Sequence, residues 1–237
     1  MPKNVDLFIA EGNVLIINAK GSNINKTKIK VLLYIDSLMI GGMHRQILYL
    51  ARFLDRNKYE PIVCTQNSRS GGLRNEYERS GCRLIDLNRN SVPGNKKVFD
   101  PFVSIKLLQV LNAERPHIVM VNAAPNLVYL RIALLFYPHA IKQVGSFRAL
   151  SFWKGHLNAL YSKLDGYFAR WLYLSSDRTV VNSHALKAHY QNVVRLKDDN
   201  PLEVIYNGSD FSSVPMQSTN AIKKELGVKS DEIAIVM

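Results

Sequence analysis

Short uninterrupted apolar runs alternate along this chain with stretches whose apolar residues recur every three or four positions. Residues 30–54 set the pattern. Val31 to Ile35 are apolar, with β-branched and aromatic members, the profile of a strand covered on both faces. Gly41-Gly42 follows, and then Ile47, Leu48, Leu50, Ala51 and Leu54 fall at helical spacing. The same grammar predicts further strands over 60–65, 82–87, 117–122, 141–144, 178–181 and 202–206, with a last strand opening at 233–237. Between them the spacing predicts helices. One is short, over LRNEYERSG, and ends at Gly81. The next opens with Asp100 as N-cap and Pro101 in its first turn, turns Phe102, Ile105, Leu108 and Leu111 inward, and stops at Arg115-Pro116. After the turn AAPNL comes VYLRIALLF. Residues 156–175 carry the aromatic stripe Tyr161, Tyr167, Phe168 and Trp171, and the last two helices are SHALKAHYQNV and IKKELGV.

Strand–helix alternation on this scale means a parallel sheet with helices on both faces, a Rossmann-like doubly wound α/β fold. Ligands in such folds sit beyond the carboxyl ends of the strands. That rim comprises residues 36–43, 122–126, 145–150, 182–183 and 207–211. Residues 1–27 precede the pattern. Within them 14–18 (VLIIN) suit an extra strand, unpaired, or else the segment is a disordered lead-in, and GSNINKTK has the composition of a linker.

Composition narrows the partner class. With 237 residues, 47% of them hydrophobic, the chain can build one large core, or one domain and a fragment of another. A net charge of +12 suits an anionic partner: a phosphorylated substrate, acidic lipid headgroups or nucleic acid. The basic residues are dispersed, and no zinc-finger, RNP-type or Gly-x-x-Gly pattern is present, which argues against nucleic acid. Cys64 and Cys82 lie in strand-like runs and read as small reduced core residues. No secretory leader and no run of about 18 apolar residues is visible. The expectation is a cytoplasmic protein, with peripheral contact at the anionic inner face of the membrane as a further expectation.

The rim residues carry a family resemblance. YIDSLMIGGMHRQILYLARFL resembles the opening of the retaining, GT-B fold glycosyltransferases of family 4. RTVVNSHALKAHY is similar to that family's sixth strand and following helix, and EVIYNGSDF to its turn leading toward a second domain. The match spans residues 28–237. It implies a two-domain enzyme that moves a sugar from a nucleotide-sugar to a glycan or lipid-linked acceptor. By this resemblance residues 28–215 are the acceptor-side domain, and 216–237 are the linker and first strand of a missing donor-side domain, the chain being a natural fragment or a truncation. The nucleotide-sugar is then the donor substrate, no cofactor or metal is implied, and the chain alone is expected to be inactive. The family's Gly-Gly-x-Glu-Arg departs here to Gly41-Gly42-Met43-His44-Arg45, and the loop where many members carry a histidine reads GSFRALS, with Arg148.

Each candidate has a plain alternative. Gly41 and Gly42 suit contacts to the donor diphosphate, or a simple strand-to-helix turn. Arg148 is the catalytic-position candidate: an arginine cannot serve as base near neutral pH, but can neutralise a departing phosphate or hold an acidic acceptor. It also suits an ordinary surface loop. His44 and Arg45 are acceptor-binding candidates or a solvated helix start. Asn122 and Asn126 offer amides to sugar hydroxyls, or act in capping and turns. Asn182, Ser183, Asn207 and Asp210 border the cleft: Ser183 as an N-cap, Asn207-Gly208 as a turn with a left-handed residue, Asp210 as an anchor of the linker. The competing function is a non-catalytic binding module, or a subunit working with a separate donor-binding chain. A nicotinamide dehydrogenase fits poorly, because Gly-x-Gly-x-x-Gly is missing and EPIVCTQN supplies no ribose-binding acid.

Overall fold

The computed structural model describes residues 5–10, 14–19, 28–67, 72–89, 100–122, 124–148, 159–194, 202–210 and 219–229. The strands are β1 (Val5–Ala10), β2 (Val14–Ala19), β3 (Ile29–Ser37), β4 (Tyr59–Asn67), β5 (Arg83–Asp86), β6 (Ile118–Asn122), β7 (Lys142–Phe147), β8 (Arg178–Val181) and β9 (Leu202–Val204). The helices are α1 (Gly42–Phe53), α2 (Arg74–Arg79), α3 (Pro101–Glu114), α4 (Ala124–Leu134), α5 (Ala159–Ser175), α6 (His184–Val194) and α7 (Thr219–Glu225). Seven strands form one parallel sheet in the order β5-β4-β3-β6-β7-β8-β9. The strand order reverses between β3 and β6, so the two connections leaving those strands part and open a crevice at their carboxyl ends.

Alternation along the strands sorts the core into two layers. Leu32, Tyr34, Ile62, Cys64, Val119, Val121, Phe147 and Val181 point to the face covered by α3, α4, α5 and α6. Val31, Leu33, Ile35, Val63, Ile118, Met120, Val144 and Val180 point to the other face, with Ile47, Leu48 and Ala51 of α1 and Tyr77 of α2. Both faces of β3 and β6 are buried, which is why their sequences read as unbroken apolar runs. Gly145 lets α5 approach β7: a Cβ there would lie 2.7 Å from Ser176 Oγ and 3.2 Å from Leu172. Cys64 and Cys82 are buried and free, and burial pushes the Cys64 thiol far above its ordinary range.

Several expectations are corrected. The N-terminal segment forms an antiparallel two-stranded sheet, β1 with β2, so the strand at 14–18 has a partner. The inward face of α3 is Val103, Leu107 and Leu111, whereas Phe102 and Ile105 are 58% and 52% exposed. An i, i+4 stripe won over the i, i+3 phase because Val103, Leu107 and Leu111 pack into the core layer on that face of the sheet. The strand expected at 141–144 continues to Phe147, so Gly145 and Ser146 are ladder residues rather than loop. Helix α4 starts at Ala124, which places Asn126 in its first turn rather than before it. Neither Asn207 nor Gly208 is left-handed; among the described residues that conformation falls to Gly81, Asn88, Arg115 and Gly227. In the aromatic helix, Tyr167 faces outward while Trp171 packs on the core; the side chains of Tyr161 and Phe168 lie outside the described residues, as do residues 233–237.

Candidate functional site at the carboxyl rim

Helix α1 begins where β3 ends, beside the crevice. Its N-cap is Gly41, in extended backbone, and no side chain caps it. No acidic residue lies in its first turn. Among the described residues the leading N–H groups of this 12-residue helix therefore have no side-chain cap, at the positive end of its dipole. At Gly42 a Cβ would meet nothing within 4 Å, so the approach to those groups is open. At Gly41 a Cβ would lie 3.2 Å from His44 Nδ1. Gly41 is small because the imidazole of His44 stands against it.

His44 is buried, which removes the solvated helix start as its alternative. Its Nε2 lies 3.2 Å from Asp36 Oδ1 and 3.4 Å from Ser37 Oγ, and its carbonyl accepts from the Tyr77 hydroxyl at 2.7 Å. These contacts pin the glycine turn to the end of β3 and to α2. Arg45, one residue on, is exposed.

Asn122 ends β6 and is fully buried. It shares a face with Met120, on the α1 side, and is paired in register with Ser146 of β7. Among the described residues neither its side-chain nitrogen nor its oxygen has a hydrogen-bond partner. Asn126 is the opposite case. Its nitrogen donates to the Asn122 carbonyl at 2.8 Å and its oxygen accepts from Gln66 at 2.8 Å, while Gln66 also donates to the Tyr34 hydroxyl at 3.0 Å. Asn126 thus ties α4 to the sheet.

Arg148 leaves β7 on the Ser146 side. Its Nε donates to Ser146 Oγ at 3.0 Å and its Nη1 to Asn207 Oδ1 at 2.7 Å. Both partners are neutral, and burial lowers the guanidinium to about 10, still protonated at neutral pH.

Ser183 caps α6, its hydroxyl accepting from the Leu186 N–H at 3.1 Å, and Asn182 precedes it half-buried. Residues 207–210 run along α1. Gln46 holds Gly208 at both backbone atoms, donating to its carbonyl at 2.7 Å and accepting from its N–H at 2.9 Å. Asp210 pairs with Arg52 at 2.8 Å. Asp210 therefore anchors this segment onto α1. The structure thus places Gly41, Gly42, Asn122, Arg148 and Asn207 along the carboxyl rim, with Arg148 bonded to Asn207, and gives Asn126 and Ser183 supporting hydrogen bonds. Sequence reasoning missed Gln46, Ser146 and Asp36. The strand register could have found Ser146, since it follows from running β7 to Phe147; Gln46 carries no local signal, because its partner lies 162 residues away. Among the described residues no group of three or more His, Cys, Asp or Glu is placed to hold a metal ion.

Comparison with known proteins fits this geometry. The model of "Glycosyltransferase Family 4" matches residues 40–213. A glycosyltransferase from Rickettsia africae ESF-5 superimposes with a TM-score of 0.61 at 16% identity, covering 86% of this chain and 51% of that one. Sucrose-phosphate synthase from Thermosynechococcus elongatus gives 0.58 at 12% identity, covering 86% and 54%. A lipopolysaccharide outer core galactosyltransferase gives 0.53 at 14% identity, covering 81% and 50%. These likenesses show a shared fold, and the chain spans about half the length of the structures it matches. No curated protein matches it in sequence.

Proposed function

The chain belongs to glycosyltransferase family 4, and from that premise we propose that it is the acceptor-side half of an enzyme moving a sugar from a nucleotide-sugar to a glycan or lipid-linked acceptor, with retention at the anomeric carbon. The observation that carries the reading is the uncapped start of α1, open at Gly42 and set at the point where the strand order reverses. There the donor's diphosphate takes the place of a missing capping side chain. His44 holds the glycine turn in shape, and Arg148 spreads positive charge beside the leaving group or acceptor. In this reading a second unit holds the nucleotide itself. Transfer is then a matter of orientation and charge stabilisation.

Peripheral contact with an anionic membrane belongs to the same reading, supported by the +12 charge and by Phe102 and Ile105 standing outward on α3 with the Arg89 guanidinium 5.2 Å from the Phe102 ring centre. No helix among the described residues is long and apolar enough to cross a membrane. Co-sedimentation with anionic and neutral vesicles separates the two cases.

The enzymatic reading is tested by incubating the chain, alone and joined to the donor-binding domain of a family member, with a panel of nucleotide-sugars and acceptors. Turnover by the joined protein, with product of the donor's anomeric configuration by NMR, is the expected result. Inverted product, or efficient turnover by the chain alone, contradicts it.

A further inference from the structure

Arg148 carries a positive charge that no carboxylate among the described residues balances. Elsewhere in the described structure several arginines meet carboxylates, Arg83 with Glu114, Arg89 with Asp100 and Arg52 with Asp210, while Arg56 and Arg170 close on backbone carbonyls. Arg148 instead meets a serine hydroxyl and an asparagine carbonyl. Those two bonds use Nε and Nη1 and fix the plane of the guanidinium, leaving the donors on Nη2 without a recorded acceptor among the described residues. A fixed guanidinium with a vacant donor edge is prepared for an anion's oxygens.

The second observation is independent. Ser146, which orients Arg148, is the register partner of Asn122. The Asn122 amide is fully buried on that same face with two donors and an acceptor unused. A buried amide left unpaired is costly, which is a reason to look for a ligand that completes it. Arginine supplies charge and asparagine supplies a neutral donor and acceptor, so together they match a group that is both anionic and hydroxylated.

We propose that Arg148, held by Ser146 and Asn207 and backed by Asn122, recognises an acidic group on the acceptor sugar, a carboxylate or a phosphate, with a neighbouring hydroxyl on the Asn122 amide. This rests on the reading of the rim as a sugar-transfer site and names the acceptor's chemical class. The α1 N-terminus keeps the donor diphosphate, so the two anions occupy different walls of the crevice.

The test is a titration of the ¹⁵N-labelled chain with D-glucuronate, D-glucose 6-phosphate, D-glucose and UDP, following the arginine Nε–Hε and asparagine amide resonances together with the backbone. Glucuronate and glucose 6-phosphate separate a carboxylate from a phosphate, and at least one of them is expected to shift the Arg148 and Asn122 signals while glucose does not. Arg148→Gln is expected to weaken that binding about tenfold or more, Asn122→Ala by less, and Arg148→Lys to retain part of it. UDP is expected to shift the Gly42 and Met43 amides with an affinity unchanged by Arg148→Gln. The proposal is overturned if neither acid shifts Arg148, if glucose matches the acids, or if UDP affinity falls along with acid affinity, which would assign Arg148 to the donor. If Arg148→Gln does not fold, Arg148→Lys still reads a partial loss of acid binding, because it keeps the charge and removes the fork, and an unchanged acid affinity in Arg148→Lys overturns the proposal. Should the acids bind at Arg148 while UDP leaves Gly42 untouched, the transferase reading fails and the acid socket stands.

Discussion

The two ends of the sheet are built by different rules. At the amino end, polar groups close on one another. Glu114 is buried between Arg83 at 2.9 Å and Lys30 at 3.9 Å, and the Lys30 N–H donates to His117 Nδ1 at 3.0 Å. Asp177 takes Lys142 at 2.6 Å and the Gln143 N–H at 2.8 Å. The Arg56 guanidinium donates to the carbonyls of Ala51 at 2.6 Å and Ser80 at 3.2 Å, closing the ends of α1 and α2. The amino end does leave Gln143 Oε1 and Thr179 Oγ1 unpaired, but Gln143 still donates to Ser175 and Ser176. At the carboxyl end, among the described residues, a helix goes uncapped, a buried amide makes no side-chain bond and an arginine faces neutral partners. Both ends fold from the same alternating pattern. One spends its polar residues on stability, while the other holds unsatisfied groups of complementary kinds in one crevice, where a ligand completes them.

This contrast can be broken by moving one end's rule to the other. Gly42→Asp gives α1 the acid it lacks, in open space. A carboxylate at a helix N-terminus contributes about 0.3–1 kcal/mol, so Tm should hold or rise. The same charge repels a diphosphate, and kcat/KM of the joined two-domain protein should fall on the order of a hundredfold, about 2.7 kcal/mol. A lower Tm with unchanged turnover would erase the distinction. Glu114→Gln is the mirror experiment: it removes a buried charge shared by two cations, and denaturant unfolding should show a loss of about 1–3 kcal/mol with transfer activity intact. Gln46→Ala, which frees both backbone atoms of Gly208, should cost about 1–2 kcal/mol and speed hydrogen exchange at Gly208. The smallest effect is expected at Glu203. Burial raises its carboxyl above the ordinary value, with Arg178 and Lys187 opposing. A raised folded-state acid stabilises the fold in acid and loses that contribution as pH rises through the shifted value. Glu203→Gln should therefore be more stable than the parent at neutral pH, by less than about 1 kcal/mol, with the difference vanishing below the ordinary carboxylate range.

The architecture was legible because burial on both faces writes itself into β3 and β6 as unbroken apolar runs, and because Asp100-Pro101 and Ser183 are local signals of helix starts. The phase of α3 was not legible from Phe102 and Ile105 alone, since two stripes compete and only packing chooses. Within the site, Gly41-Gly42 announced the turn, but the buried state of His44 depends on Asp36, Ser37 and Tyr77 arriving from three elements. Asn122 and Asn126 are four residues apart with the same side chain, and only the fold reveals that one is satisfied and the other is not.

The central claim, that the unsatisfied end of the sheet is the transfer site, is tested most directly by mapping where a nucleotide-sugar and its acceptor touch the joined two-domain protein. Backbone and side-chain NMR shifts are predicted at Gly42, Met43, Asn122 and Arg148, with Lys30, Glu114 and Asp177 unmoved. Shifts centred on the amino end, or none at Gly42 and Arg148 under conditions of turnover, would contradict it.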